Sequence, residues 1–367
     1  MSCDLTALAN SGVSSLHPYL PGKPVSELER ELGITDIVKL ASNENPLGCS
    51  EKALAAMQQE FSEISRYPDA NGYYLKEAIS QRLGVEMDQL TLGNGSNDVL
   101  DLIARTFAGK GSEVIFSQHA FVVYPIVTTA VEATAVVIPA KNYAHDLEAM
   151  ADAIGNKTRL IFIANPNNPT GTCENSTDMR NFMQRVPENV IVVMDEAYYE
   201  YVDDPDYPQT INWLSEYPNL IITRTFSKAY GLAGARIGYS ISHSDIAGLL
   251  NRVRQPFNVN SFAMTAATAA LSDVSFLNQA IELNKKGMNY LTEQLDLLDY
   301  EYIPSMGNFL TVDMATDAGE IYQKLLHKGV IVRPVANYEM PQHLRISIGL
   351  MEENQRFIEA LKAVSGR

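Results

Sequence analysis

Short, nearly continuous apolar runs recur between about residues 90 and 240: EVIFS (113–117), TAVVIPA (134–140), RLIFIA (159–164), NVIVVMD (189–195), NLIITRT (219–225) and RIGYSIS (236–242). Strands that are apolar on both sides of the pleat have no face to offer to water. Separated by polar or helical segments, they specify a mostly parallel sheet with helices covering both faces. One of the covering segments, SNDVLDLIARTFA (96–108), reads as an amphipathic helix with a Ser/Asn cap at its start.

The flanks differ in character. Residues 51–61 and 73–83 read as helices, whereas residues 1–45 show little periodicity, with a Pro-rich LHPYLPGKP (16–24) and a turn at ASNENPLG (41–48). Beyond about residue 260 come helices over 262–272 and 275–298. The strands FLTVDM (309–314), VIVRPV (330–335) and HLRISIG (343–349) follow, and then a last helix, EENQRFIEALKAV (352–364). A chain of 367 residues is long for one domain. The expected organisation is a large α/β domain over 46–262, with 1–45 and 263–367 forming an N-terminal arm and a smaller α+β domain.

A net charge of −16 argues against a general nucleic-acid or anionic-membrane surface, but a few arginines in a cleft can still bind an anionic small molecule. The three cysteines, Cys3, Cys49 and Cys173, are widely spaced and form no metal or disulfide pattern. No secretory leader is evident in MSCDLTALANSGVSSL, and no run reaches the roughly 18 apolar residues of a membrane span. The expectation is a soluble cytoplasmic protein without a metal centre.

In open parallel sheets, ligands sit beyond the carboxyl ends of the strands. There the sequence places NPNNPTG (165–171), DEAYYEY (195–201) and TFSKAYGLAGARIG (225–238) after consecutive strands. These segments meet the needs of a pyridoxal cofactor. Its aldehyde needs a lysine (Lys228), and its ring nitrogen needs a carboxylate that keeps it protonated (Asp195). Its ring oxygen needs donors (Asn168, Tyr198). Its phosphate needs hydroxyls, a guanidinium and a helix N-terminus, available from Thr225, Ser227, Arg236, Gly95, Ser96 and Asn97. Phe121 is placed to stack on the ring, with Tyr124 as the alternative. Taken singly, each piece has a plainer reading as a turn, a helix cap, a core aromatic or a solvated lysine. Their conjunction at neighbouring strand ends outweighs those readings.

The series NPNNPTG, DEAY and SKAYGLAGARIGY, with LASNENPLG (40–48), RYPDANGY (66–73), LGNGSND (92–98) and HLRISIG, resembles the fold-type I aminotransferases of class I/II, most of all the histidinol-phosphate aminotransferases. The likeness spans nearly the whole chain. It implies that pyridoxal 5′-phosphate is held as a Schiff base on Lys228, which is also the base for the 1,3-proton shift, with Asp195 on the ring nitrogen and Tyr198 and Asn168 on the ring oxygen. It further implies an obligate homodimer in which Tyr67 reaches the cofactor phosphate across the interface. Substrate contacts implied by the same likeness are Tyr19, Asn43, Tyr67, Arg333 and Arg345, the two arginines meeting either a carboxylate or a phosphate. The implied reaction moves an amino group between L-glutamate/2-oxoglutarate and histidinol phosphate/imidazole-acetol phosphate, as in histidine biosynthesis.

An acidic DEAYYEYVDD and an extra tyrosine, Tyr338, depart from that pattern and leave an aromatic amino-acid aminotransferase as the alternative. A lyase acting on an amino phosphate, such as a threonine-phosphate decarboxylase, shares the fold. A nicotinamide dehydrogenase fits poorly, because GLAGARIG (231–238) lacks the GxGxxG spacing. A DNA-binding regulator finds no spare segment for its binding module.

Overall fold

The computed structural model describes residues 4–18 and 21–366. Tyr19, expected among the substrate contacts, lies outside the described residues. The strands in chain order are β1 (Val38–Lys39), β2 (Leu90–Gly93), β3 (Glu113–Ser117), β4 (Thr134–Ile138), β5 (Thr158–Ala164), β6 (Ile191–Asp195), β7 (Leu220–Thr225), β8 (Gly238–Ser242), β9 (Tyr302–Ile303), β10 (Phe309–Asp313), β11 (Val330–Ile331), β12 (Arg333–Pro334) and β13 (His343–Ser347).

Strands β2 to β8 form a seven-stranded sheet in the order β2-β8-β7-β6-β5-β3-β4. The β3–β7 pairings are parallel, and only β8 runs antiparallel to its neighbours. This is the fold expected of the fold-type I transferases. Burial on both faces follows from the alternation. Leu160, Phe162, Val193 and Ile221 point into one apolar core, beneath the helices Ser96–Phe107 and Ser244–Val253. Ile161, Ile163, Val192, Met194 and Ile222 point into the other, against Leu75, Ile79, Phe182 and Trp213.

A four-stranded antiparallel sheet, β12-β13-β10-β9, and the helices Ala318–His327 and Met351–Ser365 enclose a separate core around Leu310, Leu344 and Phe357. Ala263, Ala267 and Leu271 of the helix Ser261–Leu271 belong to the core of the large sheet. The chain changes cores within the helix Val274–Leu297, where Leu277 lies in the first core and Leu291 and Leu295 lie in the second. The change therefore falls later than residue 262, the boundary expected from composition.

VIVRPV is not one strand. β11 pairs with β1 of the N-terminal arm, and the chain then breaks away so that β12 can pair with β13. Pro334 lacks an N–H and is tolerated because β12 is an edge strand. The arm also holds a helix, Val25–Leu32, where no periodicity was expected. It buries a single residue, Leu28, against Ala41, Leu326 and Ile331, and ends at Gly33 in the left-handed conformation. Val25, Leu28 and Leu32 stand at i, i+3 and i+7, a helical stripe that is legible in the sequence although only Leu28 is fully buried. Among the described residues, no helix is long and apolar enough to cross a membrane.

Candidate active site

The ends of β2, β5, β6 and β7 and the start of the antiparallel β8 lie along one edge of the large sheet. The register aligns Gly93 with Gly238, Thr225 with Gly238, Thr223 with Asp195, and Asp195 with Ala164. The order of connection reverses between β3 and β5, and such switch points open a crevice at the strand ends. A cavity of about 280 Å³ occupies it. Its walls include Asn43, Ser96, Asn97, Phe121, Asn168, Asp195, Tyr198, Thr225, Ser227, Lys228, Arg236, Arg333 and Arg345. Residues scattered over more than 300 positions in the chain thus meet in one place, as the sequence pattern predicts.

On the floor, Asp195 is 3% exposed. Its carboxylate accepts from the Tyr124 hydroxyl (2.9 Å, on Oδ2) and the Thr223 hydroxyl (3.0 Å, on Oδ1). Burial pushes its pKa up to about 6, and the two hydroxyls pull against that rise. The adjacent Glu196 turns away and forms a buried ion pair with Arg224, 2.7 Å to Nη2.

The Lys228 amine is held 3.3 Å from the Ser42 carbonyl and 5.7 Å from the centre of the Tyr198 ring. Burial, then the positive field of Arg345, lowers its pKa to about 8, with Glu44 opposing. Tyr198 accepts at its hydroxyl from Asn43 Nδ2 (2.9 Å), and burial pushes the phenol up to about 12. Asn43 is fixed in turn by Ser347 of β13, whose Oγ receives the Asn43 amide at 2.7 Å and donates to Oδ1 at 3.0 Å.

Arg345 donates to Asn168 Oδ1 at 2.6 Å and to the Ala41 carbonyl at 2.8 Å. Asn168 therefore serves the guanidinium through its oxygen while its amide nitrogen remains for another acceptor. Arg333 stands opposite Arg345 in the β12–β13 register, so both guanidinium groups reach the cavity from one face of the small sheet.

At the opposite end of the cavity, the helix Ser96–Phe107 presents its first turn. The expected Ser/Asn cap is not what starts it. Gly95 is the N-cap, at φ 87°, and no side chain caps the helix; Asp98 instead accepts from the Asn94 amide at 2.8 Å. The first-turn amides are thus aimed at the cavity end, where an anion can take them. The Arg236 guanidinium lies against the bare face of Gly95 and donates to the Ala233 carbonyl at 2.9 Å.

Phe121 is half-buried and faces the cavity. Tyr124, the other candidate for stacking, is fully buried with its ring on Phe162 and its hydroxyl on Asp195. Tyr67 is not a wall of this cavity. It is 83% exposed and stacks on Phe257 at 4.6 Å.

The model of the family described as aminotransferase class I and II matches residues 35–361. The chain belongs to the class I and II aminotransferases. It is 58% identical over 369 residues to histidinol-phosphate aminotransferase 2 of Pseudomonas fluorescens, covering 100% of both chains. It is 56% identical over 359 residues to histidinol-phosphate aminotransferase 1 of Idiomarina loihiensis, covering 98% of each. Among solved structures, it resembles the histidinol-phosphate aminotransferase of Sinorhizobium meliloti, determined in complex with pyridoxal-5′-phosphate. That likeness has a TM-score of 0.89 and 28% identity and covers 98% of this chain and 97% of that one. Aspartate aminotransferase from Thermus thermophilus shares the aminotransferase fold at a TM-score of 0.84 and 21% identity.

Two parts of this aminotransferase site escaped the sequence reading. Thr223 lies two residues before Thr225, inside an apolar strand, and only the β6–β7 register reveals that it faces Asp195. The carbonyls of Ala41 and Ser42 serve Arg345 and Lys228, and backbone acceptors leave no sequence signal.

Proposed function

We propose that this chain is a histidinol-phosphate aminotransferase that binds pyridoxal 5′-phosphate at Lys228. It would exchange an amino group between L-glutamate/2-oxoglutarate and histidinol phosphate/imidazole-acetol phosphate. The names of the relatives at 56% and 58% identity support the substrate, and the Sinorhizobium meliloti complex supports the cofactor. The observation that carries the reading is the pair of guanidinium groups, Arg333 and Arg345, register-matched across β12 and β13 on the wall of the Lys228 cavity. Two such forks suit a phosphate dianion and also accept the carboxylate of glutamate.

The residues fit the cofactor. Asp195 is a buried carboxylate bonded by neutral hydroxyls, the environment a protonated ring nitrogen would complement. The Gly95–Asn97 helix start, Ser227, Thr225 and Arg236 offer amides, hydroxyls and a positive charge to the phosphate. Phe121, on the cavity wall, would cover one ring face. When bound, pyridoxal phosphate supplies a pyridinium ring that accepts the electron pair of a substrate Cα–H bond. Asp195 holds the proton on the ring nitrogen. Asn168, through its amide, and Tyr198 would donate to the ring oxygen, and Arg345 would fix the substrate anion. The Nζ of Lys228 would take the proton from the substrate Cα and deliver it, across the intervening nitrogen, to the former aldehyde carbon, which is the 1,3 shift. Asn43 orients the Tyr198 hydroxyl and ties the arm to the site.

We read the functional unit as a homodimer in the cytoplasm. Phe61, Ile64, Tyr67 and Tyr74 expose 63–83% of their surface near one another in sequence, an apolar surface suited to a second copy. In that arrangement Tyr67 would reach the partner's cofactor phosphate. Cys49 and Cys173 are both free thiols, which suits a reducing compartment. Tyr338 lines the cavity beside the two arginines, which favours aromatic amino acids as a second substrate class. Lys228→Ala tests the reading. It should abolish amino transfer while circular dichroism and thermal midpoint stay close to the parent, and retained turnover would contradict the role of Lys228.

A further inference from the structure

We propose that Tyr124 and Thr223 are positioning residues that clamp Asp195 as an oriented anion facing the cofactor ring nitrogen. The inference rests on the pyridoxal-phosphate reading above and assigns a task to two residues that touch neither substrate nor cofactor.

Tyr124 sits in the first turn of the helix Val123–Ala130, after β3, and is fully buried. Its ring stacks on Phe162 of β5 at 4.6 Å and 3° and meets Phe121 edge-on at 5.9 Å and 87°. Packing on that scale fixes where the phenol ends, and its single polar atom falls 2.9 Å from Asp195 Oδ2. A phenylalanine would fill the same apolar slot, so packing alone does not call for the hydroxyl. Thr223 approaches from the other side. The parallel register of β6 and β7 places it beside Asp195, and its hydroxyl lies 3.0 Å from Oδ1.

Each carboxylate oxygen thus holds one hydroxyl donor, with the Ala197 amide as a further backbone donor, which restrains rotation about the Cβ–Cγ bond and leaves lone pairs for a ring N–H. Both bonds favour the ionised form over the acid. The other titratable or charged groups facing Asp195 are Glu196, Lys228 and Tyr198. Glu196 has the wrong sign and is engaged by Arg224, burial keeps the Tyr198 phenol neutral, and Lys228, whose amine donates to the Ser42 carbonyl, is the cation among these groups that acts on Asp195 from a distance. The anion is kept in place by hydroxyls until the cofactor arrives.

The test uses Tyr124→Phe, Thr223→Val and Thr223→Ser in the full-length enzyme, with pyridoxal phosphate itself as the probe. Wild-type binding is measured first by equilibrium dialysis. Loss of a hydrogen bond to a charged group predicts a roughly tenfold or greater rise in the dissociation constant for Tyr124→Phe and Thr223→Val. The acid limb of kcat should move to higher pH, because Asp195 is protonated more readily, while KM for glutamate changes little. Thr223→Ser should recover most of what Thr223→Val loses. The melting point of the cofactor-free protein should not fall in step, which separates positioning from a purely structural role. Variants with unchanged cofactor affinity and an unmoved acid limb would overturn the clamp, as would Thr223→Ser behaving like Thr223→Val. If the wild-type chain bound no pyridoxal phosphate, the functional reading would fail and the clamp with it. Wild-type binding with unmoved variants would contradict the clamp alone.

Discussion

Lys228 and Asp195 occupy one buried cavity, and each is held away from its ordinary protonation equilibrium. Burial and Arg345 lower the lysine to about pKa 8, and burial raises the aspartate to about 6. Only a neutral amine attacks an aldehyde, so cofactor uptake by the apo form should track the deprotonated fraction of Lys228. Stopped-flow mixing should show a rate that climbs about tenfold per pH unit below pH 8 and levels off above it. A profile still climbing between pH 9 and 10.5 would mean that the amine keeps its ordinary pKa. The linkage has the same direction. The folded-state pKa lies below the ordinary lysine value of 10.5, so this group's contribution to stability rises with pH from about 8 to 10.5. At this scale the sequence was informative for residues whose side-chain chemistry is distinctive. It was silent on Thr223, which is an ordinary strand threonine until its register with Asp195 is known. On the sequence alone Phe121 and Tyr124 compete for one role, whereas the structure gives them separate places.

At the scale of elements, the large sheet and its two apolar faces followed from runs such as RLIFIA and NLIITRT, because a strand buried on both sides leaves little ambiguity. The start of the helix Ser96–Phe107 was less legible. Ser96 and Asn97 look like caps, yet the helix begins on Gly95, whose φ of 87° and lack of a side chain let Arg236 close in. Gly95→Ala would set a methyl against that guanidinium and strain a left-handed residue. A loss of roughly 1 kcal/mol or more of stability is expected from the backbone alone. The dissociation constant for pyridoxal phosphate should also rise at least several-fold as Arg236 is displaced. Denaturant unfolding and a cofactor titration check both, and parent-like values would remove Gly95 from the phosphate cradle. The break in VIVRPV had a physical cause that a linear pattern does not show. Two short pieces of the run pair with different partners, and only the fold decides which.

For the whole molecule, the arm and the small sheet close the site from the side away from the large sheet, through Asn43, Arg345 and Arg333. A homodimer is expected in solution. Light scattering should give the mass of two 40.5 kDa chains. Tyr67→Phe should weaken cofactor binding several-fold without altering that mass, since its exposed hydroxyl makes no contact with its own cavity. A monomer with full activity would contradict the dimer and the role of Tyr67 together. The change of core within Val274–Leu297 escaped the sequence because a continuous helix carries no composition break where it passes from one core to the other.

The cavity around Lys228 is proposed to take an amino substrate whose anionic tail is bound by Arg333 and Arg345, histidinol phosphate in preference to others. The most direct measurement is a single-turnover titration of the holoenzyme. The loss of the bound cofactor's visible absorbance is followed separately with histidinol phosphate, glutamate, phenylalanine and aspartate. Conversion is expected with histidinol phosphate and with glutamate, both lost in Arg345→Ala, with a rate constant over Kd for histidinol phosphate well above that for phenylalanine. A preference for phenylalanine over histidinol phosphate would contradict the substrate assignment, and no conversion with any of the four would contradict the aminotransferase reading itself.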